Sequence, residues 1–178
     1  MHVHSLARLA VLLATIGASS RLGAAAGFDD PIHAPGFSFK LDYNWDGNVT
    51  KGFYRGYSNL SILDLRSART LAQAKANQLA WFRKRGYKVR PAVSTVVDGH
   101  PAVMIPATKL AYNERWGAPE GDSTGPVELK SAGNEPMVYL AVIFMTKKGA
   151  TGYFFEATED APLPEVVSPV LQSTHIEI

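Results

Sequence analysis

Phe37, Phe39 and Leu41 alternate with Ser38, Lys40 and Asp42, the period-two pattern of a strand with one buried face. Leu60 to Leu65 is a second apolar run, short enough for a buried strand. Between them Gly47, Gly52 and Gly56 favour turns over helix. Thr70 opens the one clear helix, with Gln73 three residues on to complete a capping box. The Ala-rich run TLAQAKANQLAWFRKR ends at Gly86, a residue that takes the left-handed position after a helix. Leu71, Ala72, Ala76, Leu79 and Phe82 fall on one side at helical spacing. Lys75 falls near that side too, so its stem snorkels or the stripe is rotated. Trp81, roughly opposite Leu79, is expected to be exposed.

Tyr87 to Val97 and Ala102 to Leu110 read as strands, and Asp98-Gly99 between them is a strong hairpin signal. Met137 to Thr146 and Gly152 to Thr158 flank Lys147-Lys148-Gly149 and predict a second hairpin. Pro164 to Ser173 predicts a closing helix, with Pro164 near its first position and Pro169 in its middle. Residues 111–136 form a long polar stretch between strands, and loops of such length are usually functional or disordered. Its start carries Tyr112, Arg115 and Trp116, residue types enriched at binding hot spots. These three are expected to fold back on the sheet and rim a binding surface; the alternative is that Trp116 plugs the core edge.

The N-terminus has a different character. Arg8 precedes an apolar run from Leu9 to Ala18, and a small-residue stretch ends at Ala24-Ala25-Ala26. That is the layout of a secretory signal peptide, with cleavage expected after Ala26 and Ser20 as second choice. The expected organisation is therefore a signal over 1–26 and one domain over 27–178, periplasmic or secreted. No cysteine occurs, so neither a disulfide framework nor an acyl-bearing cysteine is available. Removal of Arg8 and Arg21 leaves 16 basic and 16 acidic residues. A neutral total argues against nucleic acid as the main partner. Residues 27–90 nevertheless hold 11 basic and 5 acidic residues, and residues 91–178 hold 5 and 11. If sequence halves map to faces, the molecule has one positive face.

Candidate chemistry is sparse. Asp42, Asn44, Asp46 and Gly47 match the first half of a calcium loop, but position 12 is Phe53, which cannot coordinate. The favoured reading is structural: Trp45 packs inward and Asp46-Gly47 makes the turn. His33, His100 and His175 lack metal-like spacing. Asp98 and His100 flank a hairpin tip, yet no cysteine and no Gly-x-Ser-x-Gly elbow supplies a nucleophile; Ser58, Ser61 and Ser94 are ordinary strand-region serines. Asn48-Val49-Thr50 and Asn59-Leu60-Ser61 match the glycosylation triplet, and no sugar is assigned to them. Arg83, Lys84, Arg85, Lys88 and Arg90 make a basic cluster that reads as a solvated helix end or as a patch for an anionic partner or lipid headgroup. No metal and no cofactor is expected.

The phrase GFSFKLDYNW, the helix ending in RKRGYKV, the hairpin with GHPAVMI and the run VYLAVIFMTKKGATGYFFEAT before a late helix together resemble PsbP and DcrB-like domains. The resemblance covers roughly residues 36–176 and rests on order and spacing. It implies an α+β fold, a central antiparallel sheet flanked by helices in an α/β/α sandwich. It also implies export and a binding or assembly role without catalysis. PsbP is an extrinsic subunit of photosystem II; DcrB-like proteins are envelope lipoproteins, from which the missing cysteine departs. The expected function is thus an exported non-catalytic binding or assembly protein of the bacterial envelope, its partner a protein or small ligand. The alternatives are a periplasmic hydrolase and a calcium-stabilised structural module.

Overall fold

A computed structural model describes residues 30–42, 44–56, 58–110, 136–158 and 163–178. Eleven strands and two helices are present among them. The strands are β1 (Ile32–Ala34), β2 (Phe37–Phe39), β3 (Asp46–Asn48), β4 (Gly52–Arg55), β5 (Ser58–Leu65), β6 (Lys88–Val89), β7 (Val93–Val97), β8 (His100–Leu110), β9 (Pro136–Thr146), β10 (Gly149–Thr158) and β11 (His175–Ile176). The helices are α1 (Leu71–Lys84) and α2 (Leu163–Ser173).

Eight strands form the central antiparallel sheet, in the order β3-β4-β5-β10-β9-β8-β6, with β7 also paired to β8. Alternation along the long strands sorts their side chains to two faces. On one face Met104, Val142, Phe144, Tyr153 and Phe155 meet the apolar side of α2. The small sheet β1-β2-β11 lies on this side too. Phe37 from β2 sets its ring edge-on to Phe144 and Tyr153, at 5.1 and 5.4 Å between centroids. On the other face Val103, Ile105, Tyr139, Ala141 and Ile143 meet α1. Helix, sheet and helix therefore stack in three layers, the α/β/α arrangement that the resemblance implied.

The termini of α1 explain its length. Thr70 Oγ1 accepts from the Gln73 amide at 3.1 Å, while Gln73 Oε1 accepts from the Arg69 amide at 2.9 Å. At the far end the Tyr87 amide donates to Phe82 O and the Gly86 amide to Arg83 O, a Schellman closure. Gly86 takes φ +77°, a conformation that costs a side-chain-bearing residue about 1–2 kcal/mol. The buried stripe is rotated from the first expectation. Ala74, Gln78 and Phe82 are buried, whereas Ala72 and Ala76 are exposed. Alanine is small enough to sit on either side, so the position of Phe82 sets the rotation.

Two turns match their sequences. Asp98 and Gly99 both have positive φ, 48° and 76°, as a two-residue type I′ hairpin requires. Lys147 and Lys148 join β9 to β10. One expected turn moves. Asp46 and Gly47 lie inside β3, with Asp46 opposite Tyr54. The chain reverses over residues 49–51 instead, where Asn48 Oδ1 accepts from the amides of Thr50 and Lys51 at 3.0 and 2.9 Å. The expected strand from Tyr87 to Val97 is also interrupted. Val89 faces Ala107 and Val93 faces Met104, so four steps on one strand match three on the other. Pro91 sits in that extra residue's span, where a missing N–H does least harm.

Charge does not divide by face. β3, β4 and β5 occupy one edge of the sheet and β6 the other, with β8, β9 and β10 between them. The basic first half of the chain thus brackets the acidic second half.

Candidate functional site

On the α1 side, the sheet carries a polar row near the ends of β8 and β10. Register places Glu156 of β10 directly between Asn59 of β5 and Tyr139 of β9. The half-buried Glu156 carboxylate accepts hydrogen bonds from the Asn59 amide and the Tyr139 hydroxyl, and Lys109 adds a favourable charge. Burial outweighs these contacts and holds the Glu156 carboxyl above the ordinary carboxylate range. Burial, followed by the neighbouring Glu156 charge and Tyr87, pushes the Tyr139 phenol well above its usual value. The groups satisfy one another. Among the described residues no buried side-chain nitrogen or oxygen lacks a partner.

Aromatic rings join this row to the helix. Phe154 is the previous same-face residue of β10, and its ring lies 5.7 Å from Tyr139, 5.9 Å from Phe82 and 5.8 Å from Trp81. Tyr87 packs edge-on against Tyr139 at 4.7 Å and against Phe82 at 5.0 Å. The Schellman closure delivers Tyr87 to this position, because its C″ residue characteristically touches the C3 side chain. Trp81 completes the rim, 36% exposed. Arg85 lies over its ring at 4.5 Å, and Lys109 lies over Tyr87 at 5.2 Å. Cation–ring pairs of this kind are worth about 0.5–1 kcal/mol at exposed sites. The result is a fixed aromatic rim bearing cations, with a carboxyl beneath it.

The linkage of Glu156 to stability has a definite sign. A carboxyl that holds its proton more tightly when folded stabilises the fold at low pH, and that contribution is lost as pH rises through its folded value. Above the ordinary value of 4.5, the wild type is expected to lose stability that Glu156→Gln keeps. The melting temperature of Glu156→Gln minus that of the wild type should therefore grow from pH 4.5 towards neutrality. A difference that stays flat or shrinks over that range contradicts burial of an ionisable carboxyl here.

Tyr112, Arg115 and Trp116 lie outside the described residues. Trp45 is buried. Asp42 Oδ2 pairs with Arg55 Nη1 at 2.7 Å, and its Oδ1 accepts from the Asn44 amide at 3.0 Å. A guanidinium thus lies against one oxygen of that carboxylate. Among the described residues no three His, Cys, Asp or Glu side chains gather as a metal site. Asp98 turns from His100 to the C-terminal strand. Its Oδ2 accepts from the Ile176 amide at 2.7 Å and lies 3.1 Å from His175 Nδ1. That carboxylate anchors β11. Ser58 is buried, while Ser61 and Ser94 are exposed on strands.

Sequence reading missed Glu156, Asn59 and Tyr139 as a unit. The available signal was an acidic residue inside the apolar run GYFFEAT, on the face shared with Phe154. The basic cluster was found, but not its Trp81 companion.

No family model matches the sequence, and no curated protein matches it. Among solved structures the chain is similar to the solution structure of cyanobacterial PsbP (CyanoP) from Synechocystis sp. PCC 6803, with 14% sequence identity and a TM-score of 0.48 over 91% of this chain and 99% of that chain. The three-layer architecture stands on the strand order and core of the chain itself.

Proposed function

We propose that this protein is an exported, non-catalytic binding or assembly protein of the bacterial envelope. It meets its partner with the end of the sheet where α1 stops. The observation that supports this reading is the cation-bearing aromatic rim of Trp81, Arg85, Tyr87 and Lys109. Trp, Tyr and Arg are the residue types enriched at binding hot spots, and here Trp81 and Arg85 are exposed beside a half-buried Tyr87. The titratable groups under the rim pair with one another, which suits a scaffold for contact better than a reaction centre.

Tyr112, Arg115 and Trp116 are proposed to take part in the same binding. β8 ends at Leu110 and β9 begins at Pro136, at the end of the sheet that carries the rim. Export is proposed from the leader-like first 26 residues. Among the described residues no helix is long and apolar enough to cross a membrane.

Affinity capture from envelope extract tests the reading. Arg85→Ala is expected to melt like the wild type and to weaken capture of the wild-type partner by about tenfold or more, the effect of losing a contact worth over 1 kcal/mol. Trp116→Ala is expected to do the same. Capture unchanged in both variants contradicts the proposed surface.

A further inference from the structure

We infer that the C-terminal end of α1 and the adjoining edge strand β6 form a docking surface for an anionic phospholipid bilayer. This role rests on the binding reading above and gives its partner a chemistry.

Residues 65–97 hold eight Lys and Arg and no Asp or Glu. The fold gathers half of them at one place. Arg83 and Lys84 lie in the last turn of α1, Arg85 caps it, and Lys88 opens β6. All four are exposed. Among the described residues no ion pair joins Arg83, Lys84 or Lys88 to a carboxylate. The negative end of the helix dipole offsets about half a charge of this excess.

Trp81 gives the patch its second character. Lys84 and Arg85 follow it at three and four residues, so both stand beside it on the helix surface. Its ring is fixed by Phe82, Tyr87 and Phe154 below and by the Arg85 guanidinium above. A half-exposed tryptophan ringed by cations suits the headgroup layer, where an apolar ring and a polar N–H are both accommodated. The long stems of Lys and Arg lie on apolar surface while their heads reach phosphate. Lys88 and Val89 alternate on β6, and Val89 packs on the α1 side. Lys88 therefore flanks the sheet edge from the opposite face. A flat anionic surface approaching the end of the sheet where β8 finishes meets both groups at once. An acidic protein would need carboxylates fixed opposite each cation, whereas mobile headgroups adjust to them.

Co-sedimentation with vesicles tests this. The purified chain is expected to bind phosphatidylcholine vesicles containing about 30 mol % phosphatidylglycerol and not pure phosphatidylcholine, and binding should vanish in about 0.5 M salt. Each cation near such a surface contributes about fivefold in partitioning, so Lys84→Gln with Arg85→Gln should weaken binding about 25-fold. Lys51→Gln with Lys148→Gln removes the same charge from the opposite edge and the opposite end of the sheet, and should change binding little. Arg83→Gln with Lys84→Gln is a second probe of the patch, should the first pair melt early. Equal binding to both vesicle types, or equal weakening by patch and control pairs, overturns the inference. So does absence of vesicle binding. If a protein is then still captured from envelope extract in an Arg85-dependent way, the binding role stands and the lipid surface does not.

Discussion

Gly152→Ala is expected to cost at least about 4 kcal/mol, the range reserved for a named structural conflict. Gly152 sits in β10, opposite Ile143 of β9 and Leu63 of β5, at the centre of the sheet. A Cβ built there would stand 1.8 Å from Val142 O and 2.8 Å from Val142 C. Both are backbone atoms of a strand held on two sides, so neither can swing away as a side-chain tip would. The sheet must part or buckle, and overpacking of even a yielding core costs about 1–3 kcal/mol. Urea unfolding should show the loss, with the melting temperature falling by roughly 10 °C or more. Gly86→Ala is the control. Nothing lies within 4 Å of its new Cβ, so only the left-handed backbone is penalised, at about 1–2 kcal/mol. If Gly152→Ala is as mild as Gly86→Ala, the register between β9 and β10 is wrong.

Phe82→Ala is expected to cost about 3–5 kcal/mol, as emptying a buried aromatic site does. Phe82 is fully buried under the last turn of α1. It touches Trp81, Tyr87 and Phe154, and its carbonyl accepts the Schellman bond from Tyr87. Truncation therefore loosens the helix end and the rim built upon it. Phe82→Leu keeps most of the volume, and volume-conserving swaps usually cost below about 1.5 kcal/mol. Near-wild-type stability of Phe82→Ala would mean that α1 does not seat on this sheet as described.

Features carried by neighbours in sequence were legible. Thr70 with Gln73 marked the start of α1, Gly86 its end, and Asp98-Gly99 the β7–β8 hairpin. Each works through contacts two to five residues apart. The alternation of Phe37, Phe39 and Leu41 located β2, because one face of that strand is buried and the other is not. Short elements were not legible. β1, β3 and β11 have two or three residues each, and pairing rather than pattern makes them strands. Asp46-Gly47 looked like a turn because those residue types favour turns, yet Asn48 captures the amides of Thr50 and Lys51 and moves the turn onward. The Glu156 row required the registers of β5, β10 and β9 together, which bring in residues from positions 59, 139 and 156. Asp98 was legible as a hairpin-tip residue, but not the return of β11 beside the hairpin, which takes its carboxylate. Tyr112, Arg115 and Trp116 remain a proposal about residues outside those described.

The surface at the end of α1 is tested most directly by a photo-crosslinking amino acid placed at position 84 and, separately, at position 96. Val96 is 64% exposed on β7, away from the rim, so both positions meet solvent. Irradiation of cells carrying the full chain is expected to give a discrete adduct from position 84 and none from position 96. Adducts from position 96 alone, or the same adducts from both, would contradict a partner-binding face at the end of α1.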